Sequence, residues 1–336
     1  MGGPRRSSPA LVLAGDVGGT KTLVGLFERD DRRPRALTVI EYHTAAFSRF
    51  TDILEAFVRD LGRACDIDAA TVGVAGPVVD GRARLTNIPW NVTEDELTAF
   101  FGTRRARLVN DVEAMASSAE VLTPDEVVPL QDGVMHAEGN AVVIAAGTGL
   151  GQAYLHRVDG RLRPLASEGG HADFAPRTDR EIELLQMLRA EHGGRVEVEQ
   201  VVSGPGLLNI HRLAHGRTMC PEIPEGTPEG RAAAISQAAL AARCRGCVET
   251  LSLFVSAYGA EAGNLALRGV ATSGVYVGGG IAPKILPALR DGRFMEAFRA
   301  KGRMSALVAQ MPVKVILTPE AGLLGAAVCA QQLLND

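Results

Sequence analysis

Aromatic side chains and long apolar runs are scarce in this chain of 336 residues. Phe, Trp and Tyr make up 4% of the residues, so the sequence offers no platform on which unpaired bases could stack. The formal net charge is −4 and the 35 basic residues are scattered, which disfavours binding to nucleic acid. No apolar stretch has the length that a bilayer span requires, so we expect no membrane association.

Cysteine is scarce as well, and the 5 cysteines fit reduced thiols better than a disulfide framework. Cys244 and Cys247 form one C-x-x-C pair, but no second pair or C-x-H partner lies nearby in sequence. Residues 231–257 around them are rich in Ala and Leu and follow a helical pattern, and we expect the long helical region to break near residues 259–263. We therefore predict that the two thiols lie on one helix face as small apolar side chains rather than as metal ligands.

The amino terminus lacks a secretion signal, because no apolar core follows the two arginines of residues 1–10. We predict that this tail is disordered and that the protein is cytoplasmic.

The most informative stretch is residues 11–27, in which two apolar runs flank a glycine-rich centre. Apolar runs on either side of a Gly-Gly turn are typical of a β-hairpin. Backbone N–H groups at such a turn can bind an anion, and Asp16 beside it is explained by a divalent cation between the carboxylate and a phosphate. The spacing fits neither the Walker motif nor the dinucleotide fingerprint. We predict a hairpin that binds nucleotide phosphates, with a purely structural turn as the alternative.

A second stretch repeats this arrangement. Residues 141–146 form an apolar strand, residues 147–151 a glycine turn, and residues 152–157 a returning strand. Two such hairpins, each opening its own α/β unit, predict two similar domains with facing phosphate loops.

Polar residues stand at the end of one further strand, where Asn110 and Asp111 follow residues 107–109. Ligands of open α/β sheets bind at the carboxyl ends of strands. A carboxylate there can accept the proton of an attacking hydroxyl group, but Asp111 could equally cap the helix that follows. After residues 275–277, three glycines would let a flat ring lie against bare backbone.

Nine segments now point to one family. In order they are DVGGTKT, VAGPV, LTNIPW, LVNDVEA, AAGTGLG, SEGGHADFAP, VVSGPGLLN, VGGGIAP and GLLGAA, within residues 14–327. Together they resemble the bacterial glucokinase family, which belongs to the superfamily of sugar kinases, actin and heat-shock ATPases. The related ROK proteins carry a C-x-C-G-x-x-G-C zinc motif that this sequence lacks, which favours the non-ROK branch.

The resemblance implies an α/β fold with two actin-like (ribonuclease H-like) ATPase domains and a cleft between them. The small domain would comprise residues 11–115 and 318–336, and the large domain residues 116–317. The implied activity is ATP-dependent phosphorylation of D-glucose to glucose 6-phosphate. The implied partners are glucose and ATP, with a homodimer as the common assembly of relatives.

The same resemblance implies roles for individual residues. Asp111 would be the general base, and Asp16 would hold Mg²⁺, with water between them. The residues expected to contact the sugar are Asn110, Asp111, Glu168, His171 and Glu199. Those expected to contact ATP, besides Asp16, are Gly18, Gly19, Thr20, Gly147, Thr148, Gly149, Gly278, Gly279 and Gly280. The roles of Asn87, which could approach the sugar, and of Lys21, which could contact a phosphate or occupy an exposed strand, stay open.

Three other functions are the alternatives to a glucose kinase. The motifs alone do not select the sugar, so a kinase of mannose, fructose or an amino sugar is possible. A sugar-responsive repressor would need an amino-terminal helix-turn-helix, which ten residues cannot hold. An ATPase of the chaperone or filament type would lack the Glu-Gly-Gly-His and Asn-Asp segments.

Overall fold

The computed structural model describes residues 9–62, 66–85, 88–216 and 220–335. Asn87 and most of the predicted disordered tail, residues 1–8, lie outside the described residues. The chain divides into two units, Met1–Leu122 with Glu320–Asp336, and Thr123–Pro319.

The first unit is built on a five-stranded sheet of order β3-β2-β1-β4-β8. Its elements are β1 (Leu11–Val17), β2 (Lys21–Glu28), β3 (Arg35–His43), α1 (Phe50–Leu61), β4 (Ala69–Val74), β5 (Val78–Val79), β6 (Arg82–Arg84), β7 (Asn91–Thr93), α2 (Glu94–Phe101), β8 (Ala106–Asn110) and α3 (Asp111–Ser117). The last helix of the chain, α11 (Ala321–Gln332), also belongs to it. The strands β5, β6 and β7 form a small separate sheet.

Both faces of the five-stranded sheet are covered, which explains why β1 is apolar at successive positions rather than at alternate ones. Leu13 faces a core that includes Phe57 of α1, while Val12 and Ala14 face a core that includes Ala326 of α11. The predicted hairpin is confirmed: β1 pairs antiparallel with β2 from Leu11↔Glu28 to Val17↔Thr22.

The second unit contains a six-stranded sheet of order β12-β11-β10-β13-β14-β9. Its elements are β9 (Val127–Gln131), β10 (Ala141–Ala146), β11 (Leu150–Val158), β12 (Arg161–Ser167), α4 (Asp179–His192), α5 (Gly204–Ala214), α6 (Pro228–Leu240), α7 (Arg245–Gly269), β13 (Gly274–Gly278), α8 (Leu286–Leu289), α9 (Arg293–Arg299), α10 (Ser305–Val308) and β14 (Val313–Ile316). One large core joins β10, β13 and β14 to the helices.

The predicted repetition between the two units is confirmed. Each sheet contains an antiparallel three-stranded meander, β1-β2-β3 in one unit and β10-β11-β12 in the other. The first strand of each meander also pairs in parallel with a later strand, β4 or β13. The glycine turns therefore occupy equivalent positions, at the end of β1 in one unit and of β10 in the other.

Two predictions about the long helical region are wrong. The helix does not run through residues 231–257: α6 ends at Leu240, Cys244 is the N-cap of α7, and Cys247 lies in its first turn. Nor does α7 break at Gly259 and Gly263. A Cβ on Gly259 would lie 2.1 Å from the Phe294 carbonyl oxygen, so these glycines let α9 pack closely against an unbroken helix.

The four cysteines that the structure describes form no disulfide. Within the described part of the chain, none of the helices combines the length and apolar composition needed to cross a bilayer.

Candidate active site

The turn between β1 and β2 is fixed by hydrogen bonds on its inner side. The Gly18 N–H group donates to the Lys21 carbonyl oxygen at 3.0 Å, and Thr44 Oγ1 donates to the Gly18 carbonyl oxygen at 2.9 Å. Gly19 and Thr20 are exposed at the tip. Gly18, Gly19 and Thr20, which were predicted to contact ATP together with Asp16, therefore form a fixed turn with an open outer face.

Lys21 occupies the exposed strand position that was one of its two predicted places. Its Nζ lies 3.0 Å from Glu41 Oε2 on β3, and both side chains are more than half exposed. An ion pair of this kind contributes little to stability.

Asp16 precedes this turn by two residues, on β1, and is partly buried. Burial, followed by the nearby Asp111 carboxylate, raises the pKa of Asp16 to about 7, while Lys21 acts in the opposite direction. A Cβ on Gly322 would lie 2.6 Å from Asp16 Oδ2, so the carboxylate is packed against the first turn of α11. The structure thus brings together the two acids to which different roles were assigned.

Asn110, not Asp111, caps α3. Asn110 Oδ1 accepts hydrogen bonds from the backbone N–H groups of Val112, at 2.9 Å, and Glu113, at 3.3 Å. Its Nδ2 donates to the Gly76 carbonyl oxygen at 3.2 Å. Asp111 is the first residue of the helix, and its Oδ1 accepts from the Val112 N–H group at 2.9 Å. Asn110 therefore fixes the strand-to-helix turn that presents the Asp111 carboxylate at the end of β8.

The glycine turn of the second unit borders a cavity of about 570 Å³. Gly147 and Thr148 line it on one side, α6 contributes Ala232 and Ser236, and Gly280 lies beyond β13. The Gly147 N–H group donates to the Gly149 carbonyl oxygen at 2.9 Å, which closes the turn. The volume is within the range of roughly 300–1,000 Å³ that small-molecule sites occupy.

The three glycines after β13 have different surroundings. Gly280 lines the cavity. Gly279 has a φ of 82°, and a Cβ there would lie 2.3 Å from the Ala146 carbonyl oxygen. The Gly278 carbonyl oxygen accepts from the Tyr258 hydroxyl group at 3.2 Å. Gly278 and Gly279 therefore do not line the cavity but support the segment that carries Gly280.

Tyr258 is a structural residue that no sequence motif indicated. Its hydroxyl oxygen lies 3.3 Å from the Ala146 nitrogen and 3.3 Å from the Ile144 carbonyl oxygen, in addition to the contact with Gly278. The side chain is fully buried on α7. It joins the ends of β10 and β13, from which the glycine turn and Gly280 project.

Glu199 is tied directly to the glycine turn. Its Oε2 accepts from the Leu150 N–H group at 2.8 Å, and a Cβ on Gly149 would lie 2.6 Å from the same oxygen. A residue predicted to contact sugar and a turn predicted to contact ATP are thus joined by one hydrogen bond.

His171 lies among carboxylates. Its Nδ1 is 2.7 Å from Glu197 Oε2, and its Nε2 is 3.8 Å from Glu168 Oε2. The hydrogen bond to Glu197 is the main reason why the pKa of His171 is raised, and Glu199 and Glu168 add to the effect. Glu197 was missed in the sequence, although its place two residues before Glu199 on an alternating Val-Glu-Val-Glu segment was a usable signal.

A family model described as Glucokinase matches residues 13–333. A glucokinase of Nostoc punctiforme is 40% identical over 340 aligned residues, which cover 96% of this chain and 99% of that protein. Among solved structures, a glucokinase from an Antarctic psychrotroph superposes with a TM-score of 0.84 at 31% identity, covering 96% of this chain and 99% of the other. A ROK family glucokinase from Streptomyces griseus, in complex with glucose and AMPPNP, gives a TM-score of 0.64 at 24% identity over 96% and 100% of the two chains, and shows a shared fold.

Proposed function

The chain belongs to the glucokinase family, and from that premise we propose that it transfers the γ-phosphoryl group of ATP to the 6-hydroxyl group of D-glucose with Asp111 as the general base. One observation carries the choice of Asp111. Asn110 supplies the cap of α3, so the neighbouring carboxylate is not required for capping and stands at the carboxyl end of β8.

The proposed step is an in-line displacement. The hydroxyl group of glucose attacks the γ-phosphorus atom as its proton passes to the Asp111 carboxylate, and the bond from phosphorus to the β-phosphate oxygen breaks to release ADP. The hydrogen bond from the Val112 N–H group to Asp111 Oδ1 restricts the carboxylate, which favours a defined orientation toward the hydroxyl group.

Asp16 is the residue proposed to hold Mg²⁺, through water. The fit follows from the chemistry of the pair: two neighbouring carboxylates, one of them with a pKa raised to about 7, offer the oxygen ligands that Mg²⁺ prefers and gain from a positive charge beside them. When bound, the ion would neutralise the negative charge on the phosphate oxygens, including the charge that develops as the phosphoryl group is transferred. The proposal thus gives the two acids separate roles: Asp16 would hold the cation, and Asp111 would accept the proton.

For ATP, we propose that the cavity of the second unit accepts the adenosine. Its walls are largely apolar, with Leu207, Ile281 and Ile285 available to contact a flat ring. The turn of Gly147, Thr148 and Gly149 borders the same cavity and offers backbone N–H groups to phosphate.

For glucose, we propose Asn110, Asp111, Glu168, His171 and Glu199 as ligands. Carboxylates accept hydrogen bonds from neighbouring hydroxyl groups, and the raised pKa of His171 favours the charged form, which donates from both ring nitrogens. Glu197 positions His171 through the contact at Nδ1.

The experiment that tests the proposed function is a coupled ADP-release assay over a panel of hexoses with MgATP. We expect D-glucose to stimulate release far more than mannose, fructose or glucosamine, with the product phosphorylated at the 6-hydroxyl group by NMR. If another hexose is preferred, the substrate is wrong and the kinase stands; if no hexose stimulates release, the kinase proposal fails. A cytoplasmic location and a homodimer stay predictions, and light scattering on the purified protein tests the second.

A further inference from the structure

A cluster of metal-binding side chains lies in the second unit, where the end of α5 meets the start of α7. It comprises His211, His215, Cys220, Cys244 and Cys247. Ligand atoms of four of them, all except Cys244, lie within 4.8 Å of one another. Cys244 is in turn in direct contact with His215 and Cys220. The two cysteines that sequence alone assigned to a plain helix face are therefore accompanied by further ligand types.

Three distances between ligand atoms lie close to those expected for a tetrahedral metal site. Cys220 Sγ lies 3.4 Å from Cys244 Sγ and 3.9 Å from Cys247 Sγ, and His215 Nε2 lies 3.2 Å from Cys244 Sγ. With Zn–S bonds of about 2.3 Å and Zn–N bonds of about 2.0 Å, tetrahedral geometry places sulfurs about 3.8 Å apart and sulfur about 3.5 Å from nitrogen. The observed sulfurs are far beyond the roughly 2.05 Å of a disulfide bond.

His215 is oriented as a metal-binding histidine should be. Its Nδ1 lies 3.1 Å from the His211 carbonyl oxygen, and this second contact leaves Nε2 directed at Cys244. Metal-bound histidines commonly donate their other ring N–H group to a carbonyl or carboxylate oxygen in this way. A Cβ on Gly246 would lie 2.5 Å from His215 Cε1, so the glycine inside the C-x-x-C segment makes room for the ring.

The start of α7 suits a negatively charged metal centre. Cys244 caps α7 and Cys247 lies in its first turn, where the helix dipole favours the net negative charge of three thiolates around a divalent ion. The local structure thus compensates the charge that such a centre carries.

We propose that His215, Cys220, Cys244 and Cys247 form a structural zinc site with the spacing H-x4-C-x23-C-x2-C. Three soft thiolates and one imidazole select Zn²⁺ over hard cations, and binding releases the three thiol protons. Cys220 is 2% exposed and Cys247 is 0% exposed, both within the core of the second unit. Cys244 and His215 are half-buried. Four protein ligands leave no open coordination position for a substrate, which makes the role structural.

His211 is the competing nitrogen ligand. It is buried, its ring stacks on His215 with centroids 4.0 Å apart, and its Nε2 has no hydrogen-bond partner among the described residues. We assign His215 as the ligand because its Nε2 already contacts a cysteine sulfur of the set.

The metal would brace one wall of the adenosine cavity, an extension that rests on the proposed function. Cys220 precedes α6 and Cys244 follows it, so the ion would tie both ends of the helix that supplies Ala232 and Ser236 to the cavity. Loss of the ion is expected to raise the KM for ATP several-fold and to change the KM for glucose much less.

The test is elemental analysis of protein purified without a polyhistidine tag from zinc-supplied cells. We expect one zinc per chain in the wild type and in Cys329→Ser, which removes a buried thiol outside the cluster as a matched control. Cys247→Ser and His215→Ala should lose the metal, while His211→Ala should keep it. The proposal is overturned if the wild-type protein contains no zinc, or if mass spectrometry finds a disulfide among these cysteines. The assignment of His215 is overturned if His211→Ala loses the metal and His215→Ala keeps it.

A second measurement covers variants that fail to fold. Stepwise modification of the wild-type thiols by a mercurial reagent should release zinc in proportion to the cysteines modified, and Co²⁺ in place of zinc should give the charge-transfer absorption of thiolate ligation. Modification without metal release contradicts the site. Zinc without hexose-stimulated ADP release would leave the metal site standing and reject the kinase, and the reverse result would do the opposite.

Discussion

Replacing Gly279 by alanine tests how the wall of the adenosine cavity is built. Gly279 has a φ of 82°, and a Cβ there would lie 2.3 Å from the Ala146 carbonyl oxygen, a backbone atom that cannot swing away. The left-handed conformation costs a side chain about 1–2 kcal/mol. Displacement of packed backbone adds about 1–3 kcal/mol.

The two costs together predict a loss of about 2–5 kcal/mol, which for a unit of this size lowers the Tm by roughly 4–20 °C. Because Ala146 is the last residue of β10 and leads into the Gly147 turn, the KM for ATP should rise as well. Thermal unfolding followed by circular dichroism, combined with initial rates over a range of ATP concentrations, measures both effects.

Gly280→Ala is the matched control. A Cβ on Gly280 meets no atom within 4 Å, yet the residue lines the cavity. Its Tm should therefore stay close to that of the wild type while the KM for ATP rises, because the added methyl group enters the space for the ring. An unchanged Tm for Gly279→Ala, or equal losses in the two variants, would refute this account of the wall.

Two further predictions concern charged groups. Glu199→Gln should raise the KM for glucose roughly tenfold or more, since a hydrogen bond to a charged group contributes about 1.5–3 kcal/mol. The amide oxygen can still accept from the Leu150 N–H group, so the Tm should stay unchanged. A rise in the KM for ATP alone would contradict this prediction. Because the pKa of Asp16 is raised to about 7, protonation should compete with Mg²⁺ as the pH falls through 7, so kcat/KM for MgATP should decline below that pH. Asp111→Asn should move this inflection to lower pH, and an unchanged inflection would show that Asp111 does not influence Asp16.

Features with a local signal could be predicted from the sequence. The hairpin of β1 and β2 and that of β10 and β11 follow from glycine turns between apolar runs, and both are present. Which of Asn110 and Asp111 caps α3 could not be predicted, because both residue types suit an N-cap. The answer depends on whether the helix begins at residue 111 or at residue 112, and it begins at Asp111.

Features that depend on distant packing could not be predicted. Gly259 and Gly263 indicated a helix break, but their purpose is contact with α9, some 35 residues further on. The cysteine cluster escaped detection for the same reason: His215 and Cys220 are separated from Cys244 by the whole of α6, and only the fold brings them together.

The most direct test of the central claim is the turnover of Asp111→Asn. Asparagine keeps an oxygen that can accept from the Val112 N–H group, so the turn at the start of α3 should persist and the Tm should change little. Asp95→Asn, which neutralises an exposed acid in the first turn of α2, is the control and should retain wild-type kcat.

If Asp111 accepts the proton of the 6-hydroxyl group, its replacement should lower kcat by roughly 10²–10⁴-fold while the KM for glucose changes far less. A folded Asp111→Asn protein that phosphorylates glucose at the wild-type rate would contradict the assignment.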